Sequence, residues 1–174
     1  MGLRRPIIGV MGPGADGGAL TEMAFLLGQL IARSGWILLT GGRRLGVMDA
    51  ASRGAKTVPG SITVGVLPDD YRSGDVSDSV DIAIFTGMGD ARNVVNVLSS
   101  DVVVACGAAT PGTASEIALA LKVDRPVILL APSEEAAAFF IKCGGGRVDI
   151  AQDPAQVITK IHALGLKQGD PAQR

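Results

Sequence analysis

Residues 102–130 read VVVACGAATPGTASEIALALKVDRPVILL, and this run decides the fold. It opens on an apolar, β-rich stretch, Val102–Cys106, and meets a turn beginning at Gly107. A helical pattern from Thr113 to Lys122 follows, and a second apolar stretch, Val127–Leu130, closes the run. Strand, glycine turn, helix and strand make a β-α-β unit, whose two strands lie parallel. Strands that are apolar at every position have both faces covered, as in a sheet held between helices.

The same alternation extends outward in both directions. Further strands are expected at Ile7–Met11, Trp36–Thr40, Ile62–Leu67 and Ile82–Phe85, with a weaker one near Val148–Ile150. Helices are expected at Ala19–Arg33, Gly46–Gly54, Asp90–Ser99, Glu134–Lys142 and Pro154–Leu164. Short connections between parallel strands impose right-handed crossovers, so the predicted fold class is α/β: a Rossmann-like, doubly wound parallel sheet in three αβα layers. Asp153-Pro154 reads as an N-cap with proline in the first turn, and Ser133 as the cap before Glu134-Glu135. Gly35 and Gly54 fit helix C-terminal positions. The polar stretch Pro68–Asp81 reads as a surface loop and a candidate lid. Residues 1–166 are expected to form one domain, with a flexible tail at 167–174.

Composition narrows the function classes. The chain has 174 residues, 47% of them hydrophobic and 19% charged, which favours a packed globule over disorder. Aromatics are only 3%, so the core must be aliphatic. The net charge of -1 gives no basic footprint, and no nucleic-acid partner is expected. No apolar run is long enough to cross a membrane, and the first one, Ile7–Met11, is too short for a secretory leader; the expected location is the cytoplasm. Cys106 and Cys143 are too sparse for a disulfide framework or a metal site, so no metal is expected. His162, the single histidine, sits in the last helical pattern and reads as a helix-end or surface residue. Zinc chemistry and a Ser-His-Asp triad are thereby disfavoured.

In an open parallel sheet, ligands bind beyond the carboxyl ends of the strands. Three turns expected at that edge are rich in glycine: Gly12–Gly18, Gly41–Gly46 and Gly107–Thr113. Glycine admits close backbone approach to an anion, and a following helix supplies unpaired N–H groups. The first turn spells G-x-G-x-x-G, a dinucleotide signal. Against it, Asp16 would lie where a pyrophosphate must sit, and strand two ends in Gly41-Gly42 instead of a ribose-binding acid. The plainer reading of the first turn is a tight bend needing positive φ. Turn two carries Arg43 and Arg44, whose donor forks suit phosphate. Candidate ligand-binding residues are therefore Gly12, Gly41, Gly42, Arg43, Arg44, Gly46, Arg92, Gly107, Gly112, Thr113 and Glu116. Thr113-x-x-Glu116 also fits a capping box. Arg92 falls near a helix start, where cations are usually disfavoured.

These residues carry a resemblance. Gly41-Gly-Arg-Arg-Leu-Gly-Val-Met48, Met88-Gly-Asp-Ala-Arg92 and Pro111-Gly-Thr-Ala-Ser-Glu116 resemble the LOG-like superfamily. Its cytokinin-activating members are phosphoribohydrolases with the signature Pro-Gly-Gly-x-Gly-Thr-x-x-Glu and an upstream Met-x-x-Arg-Lys. The stretches Asp90–Gly107 and Thr113–Lys122 are more similar to the molybdenum cofactor carrier branch, and the likeness runs from about Ile7 to Ile150. The resemblance implies a carrier of a phosphate-bearing pterin, the molybdenum cofactor, and a homo-oligomer, dimer or tetramer. It implies as the alternative an N-glycosidic hydrolase acting on nucleoside 5′-monophosphates, with Arg92 and Glu116 as catalytic residues. Two departures weigh against the hydrolase. Asn93 stands where the hydrolases have lysine, and Ala108-Ala109-Thr110-Pro111 replaces the paired glycines of the third turn.

Overall fold

A computed structural model describes residues 4–14, 17–70, 75–108 and 110–166. In chain order the elements are β1 Ile7–Met11, α1 Ala19–Arg33, β2 Ile37–Thr40, α2 Gly46–Lys56, β3 Thr63–Leu67 and β4 Ile82–Phe85. A 3-10 turn, Gly89–Ala91, then leads into α3 Arg92–Ser99, β5 Val102–Cys106, α4 Pro111–Lys122, β6 Val127–Leu130, α5 Glu134–Gly144, β7 Val148–Ala151 and α6 Pro154–Ala163. The tail expected at 167–174 lies outside the described residues.

All neighbouring strands pair parallel, in the order β4-β3-β2-β1-β5-β6-β7. The three-layer Rossmann-like sheet read from the sequence is therefore the observed fold. Side chains alternate across each strand. Ile8, Val10, Leu38, Val104, Ile128 and Leu130 pack on one face against α1, α2 and α6. Met11, Leu39, Val66, Val103, Ala105 and Leu129 pack on the other against α3, α4 and α5. Order reverses between β1 and β5, and a crevice opens above that point.

Several boundaries behave as their side chains dictate. Asp153 accepts from the Gln156 N–H at 2.9 Å, and Ser133 from the Ala136 N–H at 3.3 Å, each capping its helix. Gly35 follows the end of α1 with a left-handed φ of 73°. Gly54 does not end α2 but sits inside it. A Cβ there would lie 1.9 Å from Phe25 O, and one on Gly28 would lie 1.9 Å from Ala51 O. The two glycines let α1 and α2 touch backbone to backbone, which is what draws α2 up beside the crevice. His162 lies exposed near the end of α6, its ring 4.9 Å from the buried Trp36.

Candidate functional site

Strands β1, β2 and β5 all end at the same edge of the sheet, so the three glycine turns converge there. Between them lies a cleft of about 580 Å³, a size suited to a small-molecule ligand. Its apolar wall is made by Val10, Met11, Leu20 and Met48. Its polar side is made by Asp90, Arg92, Asn93, Thr110, Thr113 and Glu116.

Of the residues proposed from the sequence, Gly12, Gly41, Arg92, Gly107, Gly112, Thr113 and Glu116 line this cleft. Gly12 is there because α2 crosses closely: a Cβ would meet Val47 at 2.7 Å, while its φ is not left-handed. Close approach, then, rather than a positive-φ bend, explains this glycine. Residues 15 and 16, which complete the G-x-G-x-x-G segment, lie outside the described residues.

The rest of turn two builds the cleft's support instead of its lining. Gly42, at φ 73°, packs against Gly65 and accepts from the Ser77 N–H. Arg43 bridges to Val76, with its guanidinium 3.6 Å from Asp69. Arg44 donates to Val76 O and to the Asp78 carboxylate. Gly46 begins α2 at φ 47°, where a Cβ would lie 2.3 Å from Pro13 O. Ser77 also donates to Asp49 Oδ1 at 2.7 Å. Much of the described end of the expected lid, residues 75–81, is thus fastened to turn two and α2; residues 71–74 lie outside the described residues.

Turn three differs from the capping box read at Thr113. The cap is Thr110, whose Oγ1 accepts from the Thr113 N–H, and α4 starts at Pro111. A β-region residue before proline is a natural N-cap, and proline is tolerated in the first turn. Pro111 has no N–H and the Thr113 N–H is taken, so two of the first three amides of α4 are closed to an anion. Gly107 and Ala108 are both left-handed, at φ 72° and 53°. The turn thus keeps a conformation favoured by glycine with an alanine in its second place.

Moving the helix start back frees Glu116 from any capping role. It lies inside α4, only 7% exposed, with Oε1 accepting from Asn96 Nδ2 at 2.9 Å. Burial pushes its pKa up to about 7, against the opposing pull of the Asn96 donor and the Arg92 charge. Arg92 begins α3, and its Nη1 donates to Gly41 O and Val66 O. These carbonyls compensate the guanidinium for its unfavourable place at a helix start. Burial lowers its pKa, partly offset by the Glu116 charge. No salt bridge joins Arg92 to Glu116 among the described residues. Asn93, in place of the hydrolases' lysine, donates to Ser115 Oγ at 2.9 Å and ties α3 to α4. Asn96 was not among the candidates. Its signal is its spacing: it falls one helical turn after Arg92, on a helix whose neighbouring positions are valines.

The family model described as the SLOG cluster4 family matches residues 5–158. The chain belongs to the SLOG cluster4 family. This member is similar in structure to the molybdenum cofactor binding protein of the phototrophic bacterium Rippkaea orientalis, with 50% identity and a TM-score of 0.88, over 94% of this chain and 99% of the other. It is similar also to the molybdenum cofactor carrier protein of Chlamydomonas reinhardtii, with 50% identity and a TM-score of 0.87, over 94% and 100% of the two chains. An uncharacterized protein of Archaeoglobus fulgidus is 44% identical over 126 residues, 72% of this chain and 80% of that one. The resemblance to the LOG-like superfamily and its carrier branch therefore holds for this SLOG cluster4 chain. Among the described residues no helix is long and apolar enough to cross a membrane, and no cluster of metal-binding side chains occurs.

Proposed function

We propose that this protein binds and carries the molybdenum cofactor, a phosphate-bearing pterin, and does not turn it over. The observation that carries the reading is half-identity, over nearly the whole of both chains, with a molybdenum cofactor binding protein. The cleft supports it. Arg92, fixed through Nη1 by two carbonyls, keeps the rest of its fork for an anionic group. The glycine turns at Gly12, Gly41 and Gly107 admit close approach, and the apolar wall suits a flat ring. With α4 offering few free amides, Arg92 carries more of the anion's charge than a helix start would. The proposal takes residues 1–166 as one domain, in the cytoplasm, with no nucleic-acid partner. It includes a homo-oligomer, dimer or tetramer, for which exposed Ile82, Ile84 and Leu98 on β4 and α3 offer apolar surface.

Isothermal titration with the molybdenum cofactor tests the reading. Binding that weakens at least tenfold in Arg92→Ala is expected, and no binding by the wild type refutes it. The hydrolase reading has one observation in its favour: Arg92 and Glu116 share the cleft, and a carboxyl titrating near neutrality suits acid-base work. Adenine released from AMP, and lost in Glu116→Ala, would replace the carrier with an enzyme.

A further inference from the structure

Among the described residues the Glu116 carboxyl is engaged on one side only. Oε1 holds the 2.9 Å bond from Asn96 Nδ2, while Oε2 receives no donor from the described residues. An ionised carboxyl has about four acceptor positions, so most of its capacity is unspent in the cleft it lines. Asn96 is wholly buried, and its Oδ1 has no partner among the described residues. An unpaired buried amide oxygen is destabilising, so the Asn96 side chain is not explained by packing economy. What it supplies is a directed donor to the Glu116 carboxyl, the one such side-chain donor among the described residues.

The charges around that carboxyl do not fill the open oxygen. Arg92, on α3, is committed at Nη1 to backbone carbonyls. Asp90, on the 3-10 turn, is an acid and offers no donor when ionised. Arg43 and Asp69 act electrostatically on Arg92 and do not line the cleft. Val10, Met11, Leu20 and Met48 line the same cleft as the carboxyl and make its apolar part.

We infer that Asn96 and Glu116 form a donor-reading pair, in which Asn96 holds one carboxylate oxygen and the other accepts from adjacent N–H and NH2 groups on the edge of a bound heterocycle. That edge is common to pterins and guanine. The inference deepens the ligand-binding reading of the cleft and rests on it. Asn96 is then a positioning residue and Glu116 a specificity-determining one. A site built on a buried acceptor rejects analogues that lack the matching donor.

GMP, IMP and XMP separate this role from general affinity, because ring position 2 carries amino, hydrogen and oxo in turn, the oxo form of XMP also bearing a proton on N3. Wild-type protein is expected to bind GMP at least tenfold tighter than IMP, and XMP most weakly. Glu116→Gln should erase the GMP preference and favour XMP, whose oxo group accepts from the new amide. Asn96→Leu and Asn96→Ser should each narrow the GMP:IMP ratio and raise the midpoint of the Glu116 carbon-13 carboxyl titration, which needs no ligand. A purely structural Asn96 would lower the melting temperature and shift the carboxyl midpoint without moving the GMP:IMP ratio. Equal binding of the three nucleotides, or an unmoved carboxyl midpoint in both Asn96 variants, overturns the pair.

The molybdenum cofactor, titrated alongside, distinguishes the pterin source. A loss of at least tenfold in Glu116→Gln is expected, and unchanged cofactor binding in that variant overturns the pair. If wild type binds GMP selectively but not the cofactor, the carrier reading falls and the pair stands. If none of the four ligands binds, both fall.

Discussion

Glu116→Gln should stabilise this protein, and more so as pH rises. The carboxyl has an ordinary value of 4.5 and is raised to about 7 in the folded chain, chiefly by burial. Below pH 4.5 the group is protonated both folded and unfolded, and burial carries no ionisation penalty. As pH rises from 4.5 toward 7 the unfolded chain releases the proton while the folded chain retains it, so stability is lost across that window. Above pH 7 the folded chain also ionises and the loss levels off. A shift from 4.5 to about 7 corresponds to roughly 3 kcal/mol at the plateau, at about 1.4 kcal/mol per pH unit. Glutamine keeps the shape and the acceptor for Asn96 but never carries the charge. Urea unfolding of wild type and variant at pH 5 and pH 8 checks the reasoning. The variant should gain about 3 kcal/mol at pH 8 and under ~1 kcal/mol at pH 5, with a melting gain of roughly 5–10 °C at the higher pH. A variant no more stable than wild type at pH 8, or a gain independent of pH, would refute the claim that this carboxyl is buried at a cost.

Other residues yield sharp expectations. Arg92→Ala strands Gly41 O and Val66 O, and should cost about 2–4 kcal/mol in urea unfolding besides weakening the cofactor at least tenfold. Gly28→Ala drives a methyl to 1.9 Å from Ala51 O and should destabilise by about 1–3 kcal/mol or more, whereas Gly112→Ala, with open space around it, should change thermal stability little. Thr110→Ala removes the cap of α4 and should cost about 1 kcal/mol by chemical denaturation; a Thr113→Ala variant that cost more would restore the cap to residue 113. Ala108→Gly relaxes a left-handed residue at φ 53° and should leave the melting temperature unchanged or raise it.

The sheet was legible because its signal is local and repeated. Apolar runs such as Val102–Cys106 and Val127–Leu130, set apart by helical periods, leave little choice but parallel strands covered on both sides. Caps at Ser133 and Asp153 were legible for the same reason, since a cap is a bond between residues three apart. The cleft was legible in outline, because glycine turns after β1, β2 and β5 must gather at one edge once the sheet is parallel. Thr113 misled because Thr-x-x-Glu satisfies the capping pattern equally well one turn inside a helix that Thr110 and Pro111 had already begun.

Sequence by itself determined the layers, the strand direction, and that Arg92 and Glu116 would reach the same edge. Only the tertiary structure decided what those residues do there. Arg44 faces Asp78 and not the cleft, Gly54 serves a helix crossing and not a helix end, and the Glu116 carboxyl is buried beside Asn96 from another helix. The physical reason is distance along the chain. Propensity, capping and periodicity act between near neighbours, whereas desolvation of a carboxyl and the choice of its donor depend on which surfaces the folded sheet brings together.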